Sequence, residues 1–210
     1  MSLSPQRAAL CDALDTVDPS APTLCEGWTA HHLAAHVWLR ENELLAPAGA
    51  VFKPLAGRLE TRMAEVMTQR SYADLVATIR RGPQGFSLFR LPGAEKAANE
   101  IEFFVHCEDV RRGDGDRTPR PLDPEFEDYA WGRVRTMAKL MLRRVPVATW
   151  LKRHVADEPL RVGKGADIVT LVGPASELLL YLFGRRPAAN VTLVGQATTI
   201  AVLQRAKLGV

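Results

Sequence analysis

The sequence predicts an α+β protein, a four-helix bundle over residues 1–147 followed by a small α/β unit over 148–210. Three observations carry that prediction. The first two thirds of the chain is a succession of helix caps and helix breakers. From Ala148 the pattern shifts to short β-branched runs bounded by turn residues. Between the two, Val145-Pro146 interrupts the last long helical stretch, because proline cannot continue a helix and restricts the residue before it.

The elements follow in order. Ser4-Pro5 offers an N-cap with proline in the first helical position and opens a helix to about Val17. Asp18 to Pro22 is a loop. Thr29 caps a second helix through His36 to about Ala46, where Pro47 and Gly49 end it. A third helix runs from about Pro54 to Gln69. Ser71, with Asp74 three residues on, resembles a capping box for a fourth, ending near Arg81 before Gly82-Pro83. Pro92-Gly93 precedes a helix from about Glu95 to Arg112, and Gly113 to Asp116 is a turn cluster. Asp123-Pro124 opens a long helix to about Arg144. The tail reads as strands at Trp150–Val155, Leu160–Val162, Ile168–Val172 and Val191–Val194. A helix over Pro174–Phe183, with Gly184 at its C-cap, and a short one over Thr198–Ala206 complete it.

Composition narrows the function. The chain is 210 residues long, 47% hydrophobic and 24% charged, as expected for a globular protein with a sizeable core. No apolar run approaches the roughly 18–20 residues that cross a bilayer, and the N-terminus lacks the apolar stretch of a signal peptide, so the expected location is cytoplasmic with no membrane partner. Cys11, Cys25 and Cys107 are odd in number and far apart, which argues for a reducing compartment rather than a disulfide framework. The net charge of +3 is small. The pairs Arg80-Arg81, Arg111-Arg112, Arg143-Arg144 and Arg185-Arg186 fall near predicted helix C-termini, where cations suit the helix dipole. No zinc-finger spacing or aromatic strand motif points to nucleic acid.

The stretch that carries chemistry is Glu102-Phe-Phe-Val-His106. Residues four apart share a helix face, with Cβ atoms roughly 5–6 Å apart, and the apolar neighbours Ile101, Phe103, Phe104 and Val105 predict burial. A buried carboxylate requires a partner. The pair alone also fits a salt bridge in a core. His31, His32, His36, His106 and His154 are the five histidines. Leu33, Val37 and Leu44 form an apolar stripe beside His36, which turns that imidazole toward the bundle core, while His31 is expected to face solvent and His32 to lie on the helix face. Bundle cores are a usual place for metal sites built from facing helices. Two imidazole nitrogens and one carboxylate oxygen leave an open position on a tetrahedral ion, which suits catalysis better than structure.

Thr23-Leu-Cys-Glu-Gly-Trp-Thr29 followed by Leu33-Ala-Ala-His36 resembles the mycothiol-dependent maleylpyruvate isomerase N-terminal family, of the DinB-like four-helix metal-binding superfamily. Glu102-x-x-x-His106 matches that family's remaining two ligands. Asn99 to Arg112 is especially similar to a small actinobacterial subgroup, and Val172 to Arg185 resembles the α/β domain attached to many members. The resemblance implies His36, Glu102 and His106 as metal ligands. It implies zinc as the metal, although some DinB-like relatives bind nickel or other divalent ions, and mycothiol as a small-molecule thiol partner. Asp109, one turn beyond His106, is expected to accept a hydrogen bond from its ring. In place of a second histidine common in the subgroup this chain has Cys107, which points about 100° away and is expected to be a packed thiol. Cys25 is expected to be a small buried side chain, and Trp28, Trp38 and Trp131 to line core or cleft. The family isomerase also uses an arginine from its C-terminal domain; Arg161, Arg185, Arg186 and Arg205 are the candidates. The implied activity is thiol-dependent isomerisation or S-transfer on a small electrophile, with maleylpyruvate itself not expected because the subgroup differs from the isomerase proper. A metal- or ligand-binding module without turnover, and a metal-dependent hydrolase, are the alternatives.

Overall fold

The computed structural model describes residues 4–43, 53–83 and 94–208. The expected end of the second helix near Ala46, with Pro47 and Gly49, and the expected lead-in Pro92-Gly93 lie outside the described residues. Among those described are eight helices and four strands, an α+β composition with the helices leading. The helices are α1 (Pro5–Asp15), α2 (Ala30–Asn42), α3 (Lys53–Gln69), α4 (Tyr72–Arg81), α5 (Ala94–Arg111), α6 (Pro124–Met141), α7 (Ala175–Leu182) and α8 (Ala197–Arg205). The strands are β1 (Ala148–Lys152), β2 (Leu160–Val162), β3 (Ile168–Val172) and β4 (Thr192–Gly195). No helix among the described residues is long and apolar enough to cross a membrane.

The chain divides into two compact units, residues 1–116 and 117–210. In the first, α1 packs on α4 and α5, and α2 packs on α3 and α4. Local chemistry sets the helix starts. Ser4 Oγ accepts from Arg7 N at 3.4 Å and donates to Glu100 at 2.8 Å, which ties the start of α1 to α5. Ser71 Oγ accepts from Asp74 N at 3.1 Å, capping the helix, and donates to Asp74 Oδ2 at 2.6 Å; the carboxylate is held by the hydroxyl rather than by the Ser71 backbone N–H of a capping box. Leu10, Leu14, Leu33, Leu39, Leu75, Ile79 and Phe103 are fully or almost fully buried in one core. Through it runs an ion pair whose members are 34 residues apart: Arg7 donates to both carboxylate oxygens of Glu41, at 2.8 and 2.5 Å. Arg7 also donates to the Ile79 carbonyl at 2.7 Å, and its guanidinium lies 4.5 Å from the Phe103 ring centre. Burying such a pair is tolerable only when the donors are used up in this way.

In the second unit the strands are ordered β2-β1-β3-β4. β1 pairs antiparallel with β2 (Thr149 opposite Val162) and parallel with β3 (Leu151 opposite Leu171). β3 pairs antiparallel with β4, Thr170 opposite Val194. β1 stops at Lys152, short of the expected Val155, because the chain turns there: His154 N donates to Asp157 Oδ2 at 3.0 Å. The helix α6 falls within this unit, which begins at Arg117. The reason is α7, whose Leu178 to Leu182 stretch is buried all round and packs on α6. Glu127 of α6 accepts from Ser176 N at 3.1 Å and Ser176 Oγ at 2.5 Å, supplying the cap that Pro174 cannot.

Candidate metal centre

The centre lies within the first unit and is built from α2, α5 and the loop before α2. α2 starts at Thr29, where His32 turns back on the helix end: Thr29 N donates to His32 Nδ1 at 3.3 Å. That occupies His32 as a cap and leaves His36, one turn on, to face inward at 9% exposure. His31 is half-buried. It packs edge-on against Tyr72, ring centres 5.7 Å apart, because the Tyr72 hydroxyl is anchored on the Leu14 carbonyl at 2.7 Å.

On α5 the four-residue spacing brings His106 Nε2 to 3.3 Å from Glu102 Oε2. His36 joins them from α2, its ring centre 5.2 Å from that of His106. One ligand atom from each of His36, Glu102 and His106 lies within 4.8 Å of the others. A tetrahedral zinc-sized ion sets its ligands about 3.3 Å apart, so modest inward movement of the side chains suffices. Buried His36 Nδ1 makes no hydrogen bond among the described residues, and buried His106 Nε2 faces Glu102 Oε2 at 3.3 Å. A cation is the kind of group that satisfies them, so the residues present fit a divalent ion.

The electrostatics agree. Burial pushes the His36 imidazole down to about 3, with the neighbouring His106 adding to the effect, so it is neutral at physiological pH and available as a donor. Burial alone would raise the Glu102 carboxyl, but the adjacent His106 ring, Arg40 and His36 hold it down at about 2. Burial likewise opposes the charged form of His106, yet Asp109, Cys25 and Glu102 together hold it well above the usual imidazole range. In the metal-free protein the His106 ring therefore favours its protonated form between two carboxylates. A bound metal would take the place of the proton on Nε2.

The surroundings orient these side chains. His106 Nδ1 and Asp109 Oδ2 are 3.0 Å apart, the contact expected from the spacing, and Asp109 is completely buried. Cys25 Sγ donates to the same Oδ2 at 3.2 Å. The Trp28 ring centre lies 5.1 Å from that of His36. Arg40, one turn after His36, approaches Glu102 with Nε at 3.8 Å. Cys107 is a fully buried core thiol, as expected. Trp28 also lines a cavity of about 610 Å³ with Glu26, His31, His32, Met63 and Met67; His36, Glu102 and His106 do not line it. Asp116 N donates to Asp114 Oδ1 at 3.0 Å, an ordinary turn. Of the C-terminal arginines, Arg161 stacks on Trp150 at 4.9 Å, Arg185 donates to the Phe183 carbonyl at 2.7 Å, and Arg186 donates to the carbonyls of Leu203 and Gln204 at 2.9 and 2.8 Å. Sequence reasoning missed Arg40, although its i+4 spacing from His36 was readable, and it missed the Cys25–Asp109 bond.

Residues 3–88 match the family model of the mycothiol maleylpyruvate isomerase N-terminal domain. This is the family that the Thr23–Thr29 and Leu33–His36 segments suggested. Glu102 and His106 lie beyond the matched segment, so their link to His36 rests on the geometry above. Two solved structures are similar in fold. One is the mycothiol-dependent maleylpyruvate isomerase, at TM-score 0.50 and 17% identity over 91% of this chain and 90% of that chain. The other is a histidine-to-alanine mutant of the mycothiol-dependent maleylpyruvate isomerase, at TM-score 0.51 and 16% identity over the same shares. No sequence among the curated proteins matches. At these identities the likeness speaks for the fold alone, a helical N-terminal region with an α/β tail.

Proposed function

We propose that the protein is a divalent-metal-dependent enzyme that uses a small thiol as co-substrate, an isomerase or S-transferase acting on a small electrophile, with His36, Glu102 and His106 as the metal ligands. The observation that supports this above all others is the meeting of those three side chains, with buried His36 Nδ1 left unbonded and His106 Nε2 facing the Glu102 carboxylate, in the unit whose residues 3–88 match the isomerase N-terminal domain. The two similar solved structures are of a mycothiol-dependent enzyme, which makes mycothiol the thiol to test first. A set of two nitrogens and one carboxylate oxygen suits zinc, with nickel the next choice.

A divalent ion in this position supplies Lewis-acid polarisation and favours the thiolate form of a thiol beside it. The chain's own residues then have separable tasks. Asp109 accepts from His106 Nδ1 and so keeps Nε2 turned to the site. Trp28 covers His36 and excludes water from that side. Arg40 sets a cation beside Glu102, which suits a substrate carrying a carboxylate. In the isomerase form of the reaction the thiol adds across an activated carbon–carbon double bond, sulfur to one carbon and its proton to the other. Rotation about the resulting single bond and loss of the same thiol give the isomer, so the thiol is regenerated. In the transfer form the adduct is released.

The test is direct. Metal-loaded protein is incubated with mycothiol and a panel of electrophiles, including activated cis-alkenes and a bimane, and compared with His36→Ala. The expected result is conjugation or isomerisation that requires both thiol and metal and is lost in the variant. Equal rates in protein and variant across the panel would overturn the reading.

A further inference from the structure

We propose that Cys25 is a positioning residue for the metal site, its thiol fixing the Asp109 carboxylate and, through it, the His106 ring. The inference rests on the assignment of His106 as a ligand and concerns residues outside the ligand set. Its geometric basis is a single oxygen. Asp109 Oδ2 lies 3.2 Å from Cys25 Sγ and 3.0 Å from His106 Nδ1, and the carboxylate is wholly buried. A buried carboxylate that must hold an imidazole needs donors to fix its own rotamer, and the thiol supplies one.

The segment that carries the thiol is closed on itself and docked on α5. Pro22 and Thr29 form a β-bridge across its base. Trp28 N donates to the Cys25 carbonyl at 2.9 Å, Thr23 Oγ1 to the Trp28 carbonyl at 2.9 Å, and Leu24 N to the Asp109 carbonyl at 3.0 Å. None of these bonds uses the Cys25 sulfur, so removing the thiol proton removes a donor without opening the loop. The same segment carries Trp28 against His36. One short loop thus braces both imidazoles, one through Asp109 and the other by ring packing. A competing arrangement uses the same atoms: Cys25, His106 and Asp109 also approach within 4.8 Å and could themselves take an ion. That would require His106 Nδ1 and Cys25 Sγ to give up the bonds they make to Asp109.

The experiment compares wild type, Cys25→Ala and Cys25→Ser by zinc titration against a competing chelator, by the visible spectrum of the cobalt-loaded forms and by melting of the metal-free forms. Cys25→Ala is expected to weaken metal binding about tenfold and to alter the cobalt spectrum, with metal-free melting unchanged. Cys25→Ser, which restores a donor, is expected to bind within about threefold of wild type. Wild-type affinity in Cys25→Ala would overturn the proposal, as would a sulfur-to-cobalt charge-transfer band in the wild type, which would make Cys25 a ligand. If wild type binds no metal, the reading under Proposed function fails, and the metal-free protein still decides this one. The downfield His106 Nδ1 proton, identified by its loss in Asp109→Asn, should shift or broaden in Cys25→Ala and persist in Cys25→Ser. An unchanged resonance in Cys25→Ala overturns the inference. Should Cys25→Ala fail to fold, methylthiolation of Cys25 in the folded wild type removes the same proton and is read the same way.

Discussion

His106 is held from both nitrogens, Nδ1 by Asp109 at 3.0 Å and Nε2 within 3.3 Å of Glu102. Both partners were legible in the sequence because they lie on the same helix, at the three- and four-residue spacings that share a face. His36 was legible for a different reason, the apolar stripe of α2. What the spacing did not reveal are contacts between residues far apart in the chain, Cys25 with Asp109 across 84 residues and Arg7 with Glu41 across 34. No local period encodes such pairs. At this scale the prediction is about ligands. Protein prepared without chelator should carry about one divalent ion per chain, and Glu102→Ala or His36→Ala should reduce that to less than about 0.2, read by elemental analysis of folded protein. Full occupancy in both variants would remove the three residues from the site. The loss should exceed that in Cys25→Ala, because a ligand is removed and not its support.

Helix starts were the most legible elements, since Ser4, Thr29 and Ser71 carry capping side chains and Pro5 and Pro124 take the first helical position. Loops were legible only as breaks, and their docking was not. The segment before α2 is the instructive case. Gly113, just past α5, lies so close to it that a Cβ there would meet the Pro22 carbonyl oxygen at 2.0 Å and the Thr23 Cα at 2.8 Å. In sequence Gly113 reads as a turn residue; in the fold it is also the seat for the loop that presents Cys25 and Trp28. Both obstructing groups are backbone, so neither can swing aside. Gly113→Ala is expected to destabilise the protein by about 1–3 kcal/mol in urea unfolding and to lower metal content as the loop lifts from Asp109. A stability change under about 0.5 kcal/mol, the range of an indifferent surface substitution, would mean that the loop does not depend on this seat.

At the scale of the whole chain, α6 separates what periodicity can tell from what only packing decides. Its sequence is that of a long amphipathic helix and joins by pattern the helices that precede it. Val145-Pro146 therefore read as the end of a bundle. Its partner, however, is α7, whose apolar residues are buried all round and whose start is capped by Glu127. A helix with a single apolar face carries no label for which neighbour will cover it. The division at 116/117 makes a prediction for limited trypsin digestion. Residues 114–119 are exposed and contain Arg117, while Arg143 and Arg144 are exposed beyond the end of α6. If α6 is part of the C-terminal unit, cleavage after Arg117 should leave a resistant fragment reaching from there to the C-terminal region, with α6 retained. Arg143 and Arg144 should then be cut later, because separating α6 from α7 uncovers buried apolar surface and leaves the α7 start without Glu127. Mass spectrometry of the early fragments distinguishes the cases. A first resistant fragment beginning at Arg144 or Val145 would instead place the unit boundary after α6.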